Sequence, residues 1–377
     1  MYIEIKDRRV ILAVCSLAFL VGYFARLSWA ILSSFSTLHT TVADNSAIFS
    51  MFFVGYSFTQ LPAGFLADKV SPKKIIGVAL LGLTVSTALS GFAWTVGIEI
   101  VASLMTGLAA GWIYPATVKM IAALFRGKDL SVAIGYYSLA WPSALVLTGL
   151  ALPVTASTFG WRVPFYVLTL VCLMLALLIV STENTARQEE SVDYSVIKEK
   201  SVILLCVASF LFFLAYWILA LYSYSYLLTL GISSLNSGLI YSTLAVAGLP
   251  ATIISGHIMK RLKVQFTLAS AVIMYAILLL AFSFTRDIYA LVGISILIGF
   301  FRFIITPAST TLASLVCGAD RAGSVNGITN FFGQASGVIG PVLASFMLQS
   351  AGYSALWIVS FALCIAAGIV FACITIR

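Results

Sequence analysis

Two arginines occupy positions where a charge is expensive. Arg26 and Arg302 lie well inside apolar runs, 10–34 and 288–315, and neither run contains an acidic residue. At the middle of a hydrocarbon layer an ionised side chain costs roughly 2.5–3.5 kcal/mol on insertion scales, so it usually faces a water-filled path or a partner. A guanidinium offers a planar fork of donors that fits a carboxylate or phosphate bidentately. At helical spacing Arg26 shares a stripe with Phe19, Gly22, Tyr23, Ala30 and Ser33, and Arg302 with Ser295, Gly299, Thr306 and Ser309. Both stripes are small and polar enough to border a cavity. The 13 acidic residues fall in loops, in one polar stretch or at helix ends, with Glu99 the nearest exception. Such a charge balance favours capture of an anion. Arginines bonded to backbone carbonyls at helix breaks are the structural alternative.

Around these cations, Tyr23, Gln60, Tyr114 and Tyr216 are candidate pocket residues, together with Trp29, Tyr56, Tyr137, Trp141 and Trp217. Lys119 is a third candidate cation for the pocket, with reach to the cytoplasmic surface from its place far along the run as the alternative. Asn326, Asn330 and Gln334 recur at i, i+4 and i+8, one polar face on an apolar helix that suits binding and helix adhesion equally. His39 and His257 fall outside the membrane and at a helix end, so neither is placed as a midplane proton carrier. The six cysteines form no CxxC pair, which leaves free thiols, no metal site and no cofactor. With no nucleotide loop, zinc spacing or Ser-His-Asp arrangement, the chain is not expected to be an enzyme.

The elements that position these residues follow from composition. Of 377 residues 61% are hydrophobic and only 9% charged, far outside the range of water-soluble domains. Mean hydropathy is +1.08. Twelve apolar runs, near 10–34, 46–67, 74–93, 97–124, 131–155, 162–181, 202–229, 236–258, 266–284, 288–315, 324–349 and 353–376, are each long enough to cross a bilayer as a helix. The alternation of a membrane barrel is absent, so the fold class is an all-α membrane protein. A net charge of +8 would suit nucleic acid if the basic residues were clustered on one face. Instead they segregate to alternate loops, both termini and the polar stretch, which by the positive-inside rule places those segments in the cytoplasm of a multi-pass cell-membrane protein. The lipid bilayer is the expected partner and nucleic acid is not. The first run is too long for a signal-peptide core and is kept as a mature helix.

One polar stretch, Ser181 to Ser201, divides the chain into a bundle over 1–181, a linker over 182–201 and a bundle over 202–377. The halves repeat. Gly64 and Gly256, Gly107 and Gly299, Pro115 and Pro307, Gly135 and Gly327, and Gly160 and Gly352 are each 192 residues apart. Matched helix-breaking positions imply matched backbone geometry, and such repeats place a substrate site at their interface.

Residues 64–74, GFLADKVSPKK, resemble the loop motif of the major facilitator superfamily, with Gly64, Asp68, Lys69, Lys73 and Lys74 in place and Ser71 where a glycine is usual. That resemblance implies two six-helix repeats and a conformational gating role for the motif residues. GLAAGWIYPATVKM is similar to the family's glycine-rich fourth helix, with Ser103 where a proton-linked arginine often stands. GYFARLSWAIL resembles the first helix of organic-anion carriers of the anion:cation symporter type. The expected function is therefore secondary active transport of a small organic anion, a carboxylate, by alternating access in a monomer. Stranded cations make empty turnover costly, the logic of an exchanger of the oxalate:formate kind, while proton symport through the substrate or Glu99 is the other coupling. A proton-coupled drug or metabolite exporter and a transporter-like sensor are the alternatives.

Overall fold

The protein is described by a computed structural model over residues 7–182, 194–259, 261–317 and 321–375, with backbone alone at 61–69 and a few other helical positions. It forms two compact units, Met1–Glu190 and Ser191–Arg377. The first contains α1 (Arg8–Leu32), α2 (Val42–Lys69), α3 (Pro72–Phe92), α4 (Val96–Ala110), α5 (Ile113–Leu124), α6 (Gly127–Ser138), α7 (Ala140–Phe159) and α8 (Val163–Val180). In the second are α9 (Lys200–Thr229), α10 (Ser234–Val246), α11 (Gly248–Met259), α12 (Val264–Phe284), α13 (Ile288–Cys317) and α14 (Ala322–Ala372), the last turning at Gly352 into a second helical stretch.

Helix starts recur in register. Arg8, Val42, Pro72 and Val96 begin helices in the first unit, and Lys200, Ser234, Val264 and Ile288, each 192 residues on, begin helices in the second. The caps recur with them. Thr41 Oγ1 accepts from the Asp44 N–H at 3.1 Å and Ser233 Oγ from the Asn236 N–H at 3.3 Å. Thr95 Oγ1 accepts from the Ile98 N–H at 3.4 Å, and at the matching place Asp287 Oδ1 accepts from the Ala290 N–H at 2.8 Å. Positive φ also falls in matched pairs, His39 (50°) with Gly231 (78°) and Gly160 (91°) with Gly352 (74°). Packing repeats as well: α2 lies on α4 as α10 lies on α13, and α3 on α8 as α12 on α14.

Three runs read from sequence as single helices are broken, giving α4/α5, α6/α7 and α10/α11. Each break has the same cause. Pro115, Pro142 and Pro250 are the third residues of α5, α7 and α11. A proline there has no N–H for the carbonyl four residues back and its ring crowds that carbonyl, so the preceding turn opens. The second helix starts at Val42 instead of residue 46 because the Thr41–Asp44 cap extends it outward. Cys15, Cys172, Cys206 and Cys364 are buried free thiols as expected, but Cys373 lies exposed beyond the end of α14.

Among the described residues nine helical stretches are long and apolar enough to cross a membrane. Leu170, Met174 and Leu177 line an exposed stripe of α8. A stripe of that kind needs an apolar surrounding such as lipid acyl chains.

Candidate functional site

In the first unit Arg26, on α1, is 6% exposed and enclosed by rings. Its guanidinium carbon lies 4.8 Å from the Tyr23 ring centroid, 4.9 Å from Phe52, 5.5 Å from Phe53 and 4.3 Å from Tyr56. Tyr23 stands one turn before Arg26 on α1, while the other three rings come from α2. Ring faces carry partial negative charge, so they hold a desolvated cation without neutralising it. Beyond Tyr23 the aromatic layer continues to Trp141 at 5.5 Å, and beyond Phe19 to Tyr137 at 5.0 Å and Tyr114 at 5.4 Å. Tyr137 is buried and shares a 2.6 Å hydrogen bond with Thr117, whereas Tyr114 is exposed.

In the second unit Arg302 is 2% exposed on α13. Its guanidinium carbon lies 5.5 Å from Phe212, 5.1 Å from Phe213 and 4.3 Å from Tyr216, all on α9, and Nη1 donates to Thr306 Oγ1 at 2.7 Å. Trp217 packs on Tyr216 at 4.8 Å and donates from Nε1 to the Gly333 carbonyl at 3.2 Å. On α14, Asn330 and Gln334 are half-buried and 3.5 Å apart, so they form a polar face within that helix.

The two cradles use the same pattern. Phe52-Phe53-x-x-Tyr56 on α2 and Phe212-Phe213-x-x-Tyr216 on α9 place rings at i, i+1 and i+4 against an arginine of another helix. Tyr23, Tyr56 and Tyr216 were legible as pocket residues, but the four phenylalanines were not. The repeated Phe-Phe-x-x-Tyr string was the signal that could have found them.

Several expectations need correction. Gly22 does not border open space, since a side chain there would meet the Ile113 methyl at 3.3 Å. Gly299 likewise packs against the Leu244 backbone. These small residues allow close helix approach, while Tyr23 and Thr306 of the same stripes do meet the arginines. Trp29 is removed from the pocket set because its Nε1 donates to Asn45 Oδ1 at 2.8 Å and its ring meets Trp161 at 6.0 Å. Glu99 is 2% exposed between α4 and α3. Gln60 is half-buried one turn beyond Tyr56, and Lys119 is half-buried on α5. Both histidines are exposed.

The described carboxylates are engaged away from the cradles. Asp7 accepts from the Arg9 N–H, Asp44 from Thr41, and Asp287 from the Ala290 N–H. Asp129 lies 3.6 Å from Arg8, and Glu199 pairs with Arg321 at 2.7 Å.

A sequence profile described as the Major Facilitator Superfamily matches residues 14–341. The chain belongs to that superfamily. It is a multi-pass membrane transporter and not an enzyme. Among superfamily relatives, a probable sulfoacetate transporter of Cupriavidus necator is 29% identical over 178 residues, a match spanning 46% of this chain and 41% of the relative. A hexuronate transporter of Bacillus subtilis is 22% identical over 385 residues, covering 92% of this chain and 89% of the relative. The crystal structure of a bacterial homolog to the human lysosomal transporter Spinster, inward-facing and occupied, superposes with a TM-score of 0.82 at 14% identity over 97% of this chain and 96% of that one, a likeness of fold. Within the superfamily loop motif, Lys73 Nζ donates to the Thr182 carbonyl at 2.6 Å and ties the start of α3 to the end of α8. Lys74 is exposed, and the side chains of Gly64, Asp68 and Lys69 lie outside the described residues.

Proposed function

We propose that this superfamily member is a secondary active transporter of a small organic anion, a carboxylate, working by alternating access. One observation carries the reading: two guanidinium groups, on α1 and α13, are buried within membrane-spanning helices in cradles of aromatic rings. A ring cradle fixes the guanidinium plane, and a planar fork of donors suits a planar carboxylate. Relatives named for sulfoacetate and hexuronate, both organic anions, support the same class.

In this reading Arg26 and Arg302 bind the anion. Tyr23, Tyr114 and Gln60 are further substrate-binding residues of the first unit, Tyr216, Asn330 and Gln334 are those of the second, and Lys119 adds positive potential. The two units act as six-span halves joined by a cytoplasmic linker over 182–201, with both termini cytoplasmic and the carrier monomeric. Gly64, Asp68, Lys69, Lys73 and Lys74 form the cytoplasmic gate, to which the Lys73–Thr182 bond contributes. Bound anion lowers the cost of moving the charged site through the bilayer, and turnover follows by exchange or with a proton.

The test is uptake of labelled sulfoacetate and glucuronate into vesicles holding the purified protein, with and without internal anion. Arg26→Ala and Arg302→Ala should each abolish uptake. Retained uptake in both variants removes the site assignment, and vesicles that bind label without accumulating it indicate a sensor.

A further inference from the structure

We propose that Glu99 is a reversible proton-binding site in the seam between α3 and α4, and that it couples proton movement to the anion cycle. The coupling clause rests on the transport reading above, whereas proton binding stands on its own. Glu99 is 2% exposed. Its Oε1 accepts from Ser90 Oγ at 3.2 Å, and Oε2 is buried with no hydrogen bond among the described residues.

The charged and titratable groups on the neighbouring elements are committed elsewhere. On α2, Asp44 accepts from both the N–H and the hydroxyl of Thr41. At the start of α8, Arg162 donates to the Ala93 carbonyl at 2.9 Å and Tyr166 to the Gly91 carbonyl at 2.8 Å. Arg26 of α1 lies in its ring cradle, and α3 turns only hydroxyls toward α4, Ser90 to Glu99 and Ser86 to Thr106. Among the described residues, then, one hydroxyl bonds this carboxyl and no cation does.

A carboxylate so enclosed loses its hydration without gaining a counter-charge. Two influences favour the ionised form, the Ser90 hydrogen bond and the positive end of α4, in whose first turn Glu99 sits. Both are smaller than the desolvation of a buried ion. In the proposed cycle Oε2 takes up the proton while the seam is closed, and water entering the seam releases it.

Geometry links the site to Arg26. From Glu99 the seam continues through Ser86, which accepts from Thr106 Oγ1 at 3.0 Å, to Gly82, where a side chain would meet the Ala109 methyl at 3.0 Å. On the adjoining face of α4, Ser103 Oγ donates to the Ile48 carbonyl of α2 at 2.7 Å, and Gly107 abuts the Phe52 backbone. Phe52 is one wall of the Arg26 cradle. A shift of α4 that wets Glu99 thus also moves a ring against the anion-binding guanidinium.

The experiment compares wild type with Glu99→Gln, an isostere that keeps the Ser90 bond and cannot ionise. Infrared spectra of the protein in vesicles, without substrate, should contain the carbonyl stretch of a buried protonated carboxyl at neutral pH, and Glu99→Gln should lose it. Its absence from wild type overturns proton binding whatever the transport result. In sulfoacetate-loaded vesicles, an inward proton gradient should accelerate wild-type uptake, while Glu99→Gln should lose that acceleration and keep sulfoacetate–sulfoacetate exchange. Undiminished proton-driven uptake by Glu99→Gln overturns the coupling role. If the infrared band behaves as expected while no anion moves, the proton site stands and the anion reading falls.

Discussion

Gly107 is the position at which the smallest substitution should do the most damage. A Cβ built there would lie 2.8 Å from the Phe52 carbonyl carbon and 2.9 Å from the Tyr56 nitrogen, and closer still to the Phe52 carbonyl oxygen. Ordinary contact begins at 3.4 Å, so clearing the Phe52 carbonyl oxygen requires Gly107→Ala to part α4 and α2 by about 1.5 Å. The atoms it meets are backbone. No rotamer change can absorb them, and truncating Phe52 would not relieve the clash. Overpacking of this kind typically costs about 1–3 kcal/mol. Moreover, the residues displaced are Phe52 and Tyr56, whose rings lie 4.9 and 4.3 Å from Arg26. Misplacing a binding group by ~1 Å can cost ~100-fold, so a displacement of that size should lower anion uptake by about 100-fold.

The assay is initial-rate uptake in vesicles at matched protein density, with a thermal melt in detergent to register the packing cost. Gly135→Ala is the control, because nothing lies within 4 Å of a Cβ there. Gly299→Ala repeats the test in the second unit, where the Cβ would lie 2.8 Å from the Leu244 carbonyl carbon. Wild-type uptake and melting for Gly107→Ala would refute the idea that α4 sets the position of the Arg26 cradle.

Arg302→Lys should retain charge but lose the planar stack on Tyr216 and the Thr306 bond, weakening apparent anion affinity about tenfold in uptake titrations. Gly333→Ala should cost less than Gly107→Ala in the same uptake assay, since its Cβ meets the Phe213 ring at 2.8 Å, and a ring can turn where backbone cannot. Gly160→Ala and Gly352→Ala should each lower stability by about 1–3 kcal/mol in thermal melts, because φ of 91° with ψ of 154° and φ of 74° with ψ of −171° belong to backbone regions reserved for glycine. Lys73→Met should reduce uptake rate several-fold with little change in apparent affinity, by releasing the 2.6 Å tie to Thr182 at the cytoplasmic gate.

Hydropathy made the helical membrane class legible, and the spacing of glycines and prolines made the duplication legible, because both are properties of one residue and its backbone. Helix continuity was harder. Pro115 and Pro307 share a register, yet α13 runs through Pro307 while the first unit breaks before Pro115. Whether a proline opens the preceding turn depends on what packs beside it, which spacing does not carry. Arg26 and Arg302 stood out because isolated charges in apolar runs are rare. Their surroundings did not, since a cradle needs the side of the neighbouring helix that faces the charge. Glu99 stood out as an acid near an apolar run, but its cover did not, since Ser90 of α3 bonds it from a neighbouring helix.

The repeat and the cradles also separate scaffold from chemistry. Moving Arg26 forward by the 192-residue repeat reaches Ile218, and moving Arg302 back by it reaches Ala110, so the cations are not duplicates of one another. The Phe-Phe-x-x-Tyr strings begin at 52 and 212, out of step with the repeat, yet both end as three rings against a guanidinium. Duplication therefore accounts for caps, turns and the close contacts at Gly107 and Gly299, where backbone geometry is inherited with the helices. Two unrelated placements arriving at one solution point to a shared physical demand, a guanidinium fixed in a desolvated place, and aromatic faces meet it by packing flat against the cation.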